Sequence, residues 1–211
     1  MITRRMLGLL AGAALTLAAV GAHAQAAKAP DALIKEVSTD VLDAVKADKT
    51  IQAGDVRKVT ALVDQKVIPY VDFQRMTSSA VGRYWRQATP DQQRRVQEEF
   101  KLLLVRTYSG ALAQVSAEQS VVLKPMRMQP TDTEVVVRTE IRGKGDPIQL
   151  DYRLEKAGAS WRIYDVNVLG VWLVENYRNS FAQEIGANGM DGLIAKLAER
   201  NKAAAAGGAK S

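Results

Sequence analysis

Two pairs of neighbouring side chains in the C-terminal half are of types that could carry out acid–base chemistry: Asp151–Tyr152 and Tyr164–Asp165. An aspartate can act as a general base while a tyrosine hydroxyl stabilises a developing oxyanion. Both pairs lie in segments with strand-like alternation, and consecutive strand residues point to opposite faces of a sheet. Asp151 and Tyr152 therefore do not converge on one substrate. Asp165 is expected to end a sheet edge or to pair with an arginine. Catalysis by these residues is therefore kept as an alternative to a binding function.

Other reactive side chains are scarce in this chain. It contains no cysteine and one histidine, His23, which falls in a segment expected to be removed. Histidine-based triads, cysteine nucleophiles, the usual zinc ligand sets and haem ligation by His or Cys are thereby excluded from the mature protein. We expect an exported protein without disulfides.

The N-terminus has the pattern of a secretory signal peptide. Arg4 and Arg5 precede an apolar run from Met6 to Val20, and Ala22-His23-Ala24 matches a small-residue cleavage site. The run is too short for a membrane span of about 20 residues, and there is no cysteine to acylate. Cleavage is expected after Ala24, so residues 1–24 are the signal peptide. Removing Arg4 and Arg5 from the 29 basic residues leaves 27 against 23 acidic ones. This modest excess suits an anionic lipid or an acidic partner, or serves solubility alone.

The first half of the mature chain has the apolar spacing of amphipathic helices. Helices are predicted over about 33–48 and 55–67, and Asp72 is a suitable N-cap for a short third one. Thr89-Pro90-Asp91-Gln92 combines a capping-box pattern with a proline in the first turn. It predicts a long helix that runs to about Val115.

From Ser120 onward the apolar residues alternate, which is typical of strands. Between Ile163 and Tyr164 the apolar phase reverses, indicating either a bulge or a strand covered on both faces. A helix is predicted from Val171, and a last helix follows Asn188-Gly189. The four predicted strands span residues 121–128, 134–142, 148–155 and 161–168.

Four consecutive strands with short turns predict an α+β fold, in which a four-stranded antiparallel sheet packs against several helices on one face. We expect a single domain over 25–204. Its helical part spans about 30–116, and its sheet and C-terminal helices span about 120–204. The Ala- and Gly-rich tail, 205–211, is expected to be disordered.

Several segments carry a family likeness in matching order: PYVDFQRMTSSAVGRYWRQATPDQQRRVQEEF (69–100), LLVRTYSGAL (103–112), the segment 147–181 and NGMDGLIAKL (188–197). This ordered set resembles the MlaC/toluene-tolerance (Ttg2) family of periplasmic phospholipid-binding proteins, and the likeness covers nearly all of the mature chain. Trp172 departs from the family pattern, in which a smaller residue follows Gly-Val or Gly-Ile. It could narrow or reshape the rim of a pocket.

The resemblance implies an NTF2-like cone with an apolar cavity that takes phospholipid acyl chains. It implies a periplasmic carrier that shuttles lipid between an outer-membrane lipoprotein–porin complex and an inner-membrane ABC transporter complex with a ring of lipid-binding domains. It implies no cofactor and no covalent chemistry. The alternative on the same fold is an NTF2-like small-molecule enzyme with an Asp/Tyr site. A polar-solute binding protein is a third option, but such proteins close two lobes around their ligand.

The apolar faces of the predicted strands and helices supply the lipid-binding candidates, although each of these residues could instead simply fill the core. The predicted lipid-binding residues are Leu104, Tyr108, Leu112, Val135, Val137, Ile148, Leu150, Tyr152, Val166, Val168, Val171, Val174, Tyr177 and Phe181.

Arginines near these apolar stripes are candidates for contacts with anions. Arg106 and Arg178 could hold a phosphate by paired hydrogen bonds or form salt bridges with nearby carboxylates. Arg83, Arg86 and Arg178 are expected to flank the mouth of the cavity. There they would meet an acidic partner or anionic head groups, unless they are ordinary solvated residues.

Overall fold

The computed structural model describes residues 28–208, so the predicted signal peptide and residues 209–211 lie outside its range. Within that range no helix has both the length and the hydropathy to cross a membrane. Three 3-10 helices span Ile68–Tyr70, Gly82–Gln87 and Gly110–Gln114. The α-helices are α1 (Pro30–Ala47), α2 (Lys49–Gln52), α3 (Val56–Lys66), α4 (Phe73–Val81), α5 (Pro90–Ser109) and α6 (Leu173–Gly208).

The helix starts follow from local capping. Asp72 accepts a hydrogen bond from the backbone N–H of Arg75 at 2.7 Å and so caps α4. Thr89 and Gln92 exchange side-chain-to-backbone hydrogen bonds at the start of α5, which confirms the predicted capping box. The sequence analysis missed α2, a single turn capped by Asp48. The helix predicted to run to Val115 stops at Ser109 and continues as a 3-10 turn from Gly110, since glycine is a poor helix former.

The sheet is an antiparallel meander with strand order β1-β2-β3-β4-β5. The first strand is shorter than predicted, because Pro125 lacks the N–H that would continue the ladder. The strands are β1 (Ser120–Leu123), β2 (Glu134–Arg142), β3 (Ile148–Ala157), β4 (Ser160–Val168) and β5 (Val171–Trp172).

The prediction of four strands was wrong by one. After β4 the chain reverses through Leu169 and Gly170, both with positive φ (52° and 91°), so that Val171 pairs with Val168. The predicted helix therefore begins at Leu173 and not at Val171. A two-residue strand is too short to show an alternating pattern, which is why the sequence did not reveal β5.

The phase reversal in β4 is a bulge. Arg153 pairs with Asp165 while its neighbour Leu154 pairs with Ile163, so Tyr164 is the extra residue. The bulge moves Asp165 and Asn167 to the face opposite Ile163, and it keeps Val166 on the same face as Ile163. Apolar residues on both sides of the reversal therefore face the helices.

The helices cover one face of the sheet, as predicted. Leu33, Ile34 and Val37 of α1 pack on Val137 and Leu154. Helix α6 packs on α4 and α5 and bends at Gly189, whose φ of 71° is not helical; this break lies where the sequence placed the end of a helix. Helix α6 extends to Gly208, so residues 205–208, expected to be disordered, are helical because the preceding alanines are strong helix formers. The cone-like shape stays a prediction.

Candidate functional site

An apolar cavity of about 230 Å³ lies between the helices and the inner face of the sheet. Helices α1, α3, α4 and α5 contribute most of its wall, and the 3-10 segments that follow α3 and α5, β4 and the first residue of α6 complete it. The lining residues are Val41, Val59, Leu62, Val63, Val67, Ile68, Val71, Phe73, Met76, Lys101, Leu104, Val105, Tyr108, Ser109, Leu112, Val166 and Leu173.

The local sequence explains why space remains here. Pro69 follows the end of α3, and the chain then runs along β4, where the Asp72 N–H donates to the Ile163 carbonyl at 2.8 Å. Seven of the lining side chains are valines. A valine is too short to reach across the gap between α3, α5 and the sheet, so the helices enclose a cavity rather than a filled core.

Polar side chains in the wall are few, and Ser109 and Lys101 have partners within the protein. Ser109 Oγ donates to the carbonyl of Arg106 at 3.2 Å, and Lys101 Nζ lies 2.7 Å from Asp64 Oδ1. Burial, and then the nearby Tyr177, raise the pKa of Tyr108, so its hydroxyl stays protonated at neutral pH. No carboxylate of the described residues lines this cavity. A wall of this composition can shelter apolar matter, and it offers no general base.

Four of the fourteen predicted site residues line the cavity: Leu104, Tyr108, Leu112 and Val166. The first three lie on one side of α5 and the 3-10 turn after it, and Val166 lies on β4 beyond the bulge. Their placement depends on helical periodicity, which the sequence revealed, and on the bulge, which was one of two interpretations of the phase reversal.

Three predicted residues on α6 belong to a solid core instead. Tyr177 and Phe181 surround Phe100 with ring centroids 5.0 and 5.2 Å from it, and Val174 packs in the same cluster. The apolar stripe of α6 faces α4 and α5, next to the cavity, whose wall shares Met76 with this core cluster. On the sheet, Val135 and Val137 are covered by α1 and likewise fill core.

The remaining five predicted residues are also absent from the cavity wall. Tyr152 is on the helix-facing side, where its hydroxyl lies 3.2 Å from Ser38 Oγ of α1, and burial raises its pKa. Ile148, Leu150 and Val168 are half-buried along the strands. Val171 is 48% exposed, because β5 is an edge strand.

The sequence analysis missed the wall formed by α1, α3 and α4. Its apolar stripes were recognised as helix faces, but they were not proposed as lipid-binding. The only signal that could have marked them is the excess of valine over longer side chains, which is weak for any one position. The missed residues include Val41, Val59, Leu62, Val63, Val67, Ile68, Val71, Phe73 and Met76.

The acid–base candidates are held by other partners outside the cavity. Asp165 pairs with Arg153 at 3.1 Å and accepts from the N–H groups of Val166 and Val174. Burial raises its pKa, and these contacts oppose the rise. Tyr164 donates to Glu134 at 3.3 Å. Asp151 accepts from Gln149 on the outer face, opposite Tyr152.

The arginines lie in a second groove, between the end of α4 and α6. Arg83, Arg86 and Arg178 share it with Tyr84, and it has no residue in common with the cavity wall. Arg178 Nε donates to the Ser79 carbonyl at 3.1 Å, not to a carboxylate. The three arginines are therefore brought together as expected, but at a separate surface.

Arg106 and Trp172 also lie away from the cavity wall. Arg106 Nε is buried and finds no hydrogen-bond partner within residues 28–208. Trp172 packs under the guanidinium of Arg153, 3.8 Å from its ring centroid, so it covers the outer face and does not form a cavity rim.

Comparisons with known proteins agree with this architecture. The chain is 27% identical to the toluene tolerance protein ttg2D of Pseudomonas putida, over 92% of this chain and 93% of that one. It is 23% identical to the intermembrane phospholipid transport system binding protein MlaC of Haemophilus influenzae, over 87% of each. The solved phospholipid-binding protein of Ralstonia solanacearum, in complex with a phospholipid, superposes with a TM-score of 0.79 at 47% identity. That match covers 83% of this chain and 98% of that one. The MlaC protein family model matches residues 35–199, and the chain therefore belongs to the MlaC family.

Proposed function

We propose that this protein is a carrier that binds phospholipid and shelters its acyl chains in the cavity between α3, α5 and the sheet. The observation that carries the proposal is the almost wholly apolar wall, found in a fold that matches a phospholipid complex at 47% identity. The function is binding and carriage without a covalent step.

The energy of lipid desorption explains why such a cavity is needed. Moving one CH₂ group from an apolar medium to water costs about 0.8 kcal/mol, so a long acyl chain costs on the order of 10 kcal/mol. A diacyl lipid costs about twice as much, and it does not cross water unaided at a useful rate. A carrier therefore has to shelter both chains and to exchange lipid while docked to a donor or an acceptor.

The size of the cavity adds a requirement. A cavity of about 150 Å³ can hold benzene, so 230 Å³ corresponds on that scale to roughly nine carbon atoms. This is about half of one long chain, so uptake of a diacyl lipid requires the walls to separate. Helix α3 is the wall best placed to move, because its charged ties to α1 and α5 are exposed pairs, Lys66–Asp40 and Lys101–Asp64.

We further propose that the mature chain, cleaved after Ala24, works in the periplasm. It would exchange lipid with an inner-membrane ABC transporter complex that carries lipid-binding ring domains, and with an outer-membrane lipoprotein–porin complex. The family membership and the names of the two relatives support this placement. The groove with Arg83, Arg86 and Arg178 is the candidate docking surface, since its charged residues are all cationic.

The binding step is tested by mass spectrometry of an organic extract from the purified mature protein, followed by delipidation and reloading from phospholipid vesicles. We expect about one phospholipid per folded chain in both preparations. A folded protein that yields no phospholipid and takes up none from vesicles would rule out the carrier function.

The docking step is tested separately with the triple variant Arg83→Glu, Arg86→Glu and Arg178→Glu. Transfer of labelled phospholipid to the purified ring domains should slow and change its salt dependence, while the lipid content of the protein stays the same. Arg94→Glu is the matched control, because Arg94 is exposed on α5 outside the groove. Transfer that is indifferent to the triple change and to ionic strength would remove the groove as the docking surface.

A further inference from the structure

One lining residue of the cavity differs in kind from the other sixteen. Among residues 28–208, Lys101 is its only charged residue: its stem contributes to the apolar wall while its ammonium group reaches Asp64 of α3 at 2.7 Å. The side chains of Lys101 and Asp64 are 29% and 46% exposed. The ammonium group therefore lies where the apolar wall meets water, at the rim between α3 and α5.

A phospholipid whose chains enter this cavity has its phosphate at the level of the rim. The phosphate carries a negative charge and accepts hydrogen bonds, and a lysine ammonium binds such a group as a compact point charge. In the part of the chain that the structure describes, no other cationic side chain belongs to the wall of the cavity. Lys101 is thus the one group placed to hold the head group without leaving the apolar wall.

The carboxylate of Asp64, the partner of Lys101, can be replaced by another anion. An ion pair at this exposure contributes little to stability, so replacing the carboxylate of Asp64 by a phosphate has a small effect on the fold. The same pair joins α3 to α5, the two walls that have to separate for a diacyl lipid. Entry of lipid and release of Asp64 are therefore coupled at one position.

Resting on the proposed function, we propose that Lys101 holds the phosphate of the bound lipid and that Asp64 competes with this phosphate for the ammonium group. Loss of the charge at Lys101 then weakens retention of phospholipid, and loss of the charge at Asp64 strengthens it. Neither change acts on a lipid that has the same chains but no phosphate.

The test compares two ligands with identical fluorescent acyl chains, phosphatidylglycerol and diacylglycerol, and measures their release from loaded mature protein to vesicles. Lys101→Met, which keeps an apolar stem, should release phosphatidylglycerol about three- to tenfold faster, the range expected of one charge-assisted contact at a partly exposed site. Asp64→Asn should slow this release, and Lys101→Arg should restore it. Release of diacylglycerol should change by less than about twofold in every variant.

The second ion pair of α3 provides matched controls. Lys66 and Asp40 lie 3.5 Å apart with similar exposure, but neither belongs to the cavity wall. Lys66→Met and Asp40→Asn should leave the release of both ligands unchanged. The proposal is overturned if Lys101→Met affects both ligands equally, or if the control pair behaves like the Lys101–Asp64 pair. A wild-type protein that binds neither ligand would instead refute the carrier function itself.

Discussion

The two sides of α5 face very different interiors. On the side toward α6, Phe100 is fully buried and is packed by Tyr177 and Phe181 with centroids about 5 Å away. On the side toward α3, Leu104 and Tyr108 border a cavity of about 230 Å³. Both sides are apolar, and they differ in the length of the side chains that meet α5. Rings from α6 fill the space on the first side, whereas valines from α3 leave it open on the second.

Because of this difference, the packed side of α5 mainly determines stability, and the open side mainly determines lipid binding. A filled core resists the loss of any atom, because the cavity left behind is not refilled. A wall that already borders a cavity has room to relax, hydrate or accept a ligand. We therefore expect changes on the packed side to act on folding, and changes on the open side to act on lipid.

The largest effect is expected on the packed side. Phe100→Ala should lower the free energy of unfolding by about 3–5 kcal/mol, because it empties the centre of the aromatic cluster. Urea denaturation measures this loss, and Leu104→Ala on the open side should lose less. If the phenylalanine variant instead kept its stability and lost its lipid, the aromatic cluster would be part of the lipid site.

A carboxylate on the open side should have a smaller effect on stability and a larger one on lipid. Leu112→Asp or Tyr108→Glu should cost about 1–3 kcal/mol while most bound lipid is lost, because a polar group at a cavity can take up water. Cooperative thermal unfolding should persist. Leu103→Asp, on the buried side of the same helix, should lose lipid and cooperative unfolding together. Equal behaviour of the two sides would mean that α5 was assigned the wrong orientation.

A substitution that fills the cavity should have the opposite effect on stability, while it still removes space for lipid. Val63→Phe should raise the free energy of unfolding by about 1 kcal/mol or leave it unchanged, as cavity-filling changes commonly do. It should also reduce the lipid content measured after reloading from vesicles. Val136→Phe adds the same volume on the outer face of the sheet and should leave lipid content alone. Full loading of the Val63 variant would contradict the location of the site.

The smallest effect concerns pH and the start of α6. Asp165 accepts from the N–H of Val174, and burial raises the pKa of this carboxyl above its ordinary value of 3.8. As pH rises from about 3.8, the unfolded chain ionises at this group before the folded one, so its contribution disfavours the folded state until the folded pKa is passed. The difference in unfolding free energy between Asp165→Asn and the wild type should therefore grow with pH in this window.

Urea titrations between pH 4 and 7 measure that difference. A difference that shrinks as pH rises would mean that the contact with Arg153 outweighs burial at Asp165.

Local chemistry accounts for what could be predicted. The caps at Asp72 and Thr89 and the break at Gly189 depend on a few neighbouring atoms, and so their residues are diagnostic. Strands β2, β3 and β4 show their alternation over nine or ten residues, and the bulge at Tyr164 appears as a reversal within it. The ordered family motifs then indicated the apolar chemistry of the site.

The location of the site could not be read in the same way. Apolar stripes on α5 and α6 look alike in sequence, but part of the first borders a cavity and the second fills a core, because that outcome depends on which side chains arrive from distant parts of the chain. The valines of α3 line a cavity because Pro69 follows the end of α3 and the contact of Asp72 with β4 fixes the position of the following chain beside α5. Likewise, the role proposed for Lys101 depends on its ion pair with Asp64, a residue 37 positions away in sequence and 2.7 Å away in space. Periodicity identifies the faces that must be buried, and long-range packing determines which face is left with room for a ligand.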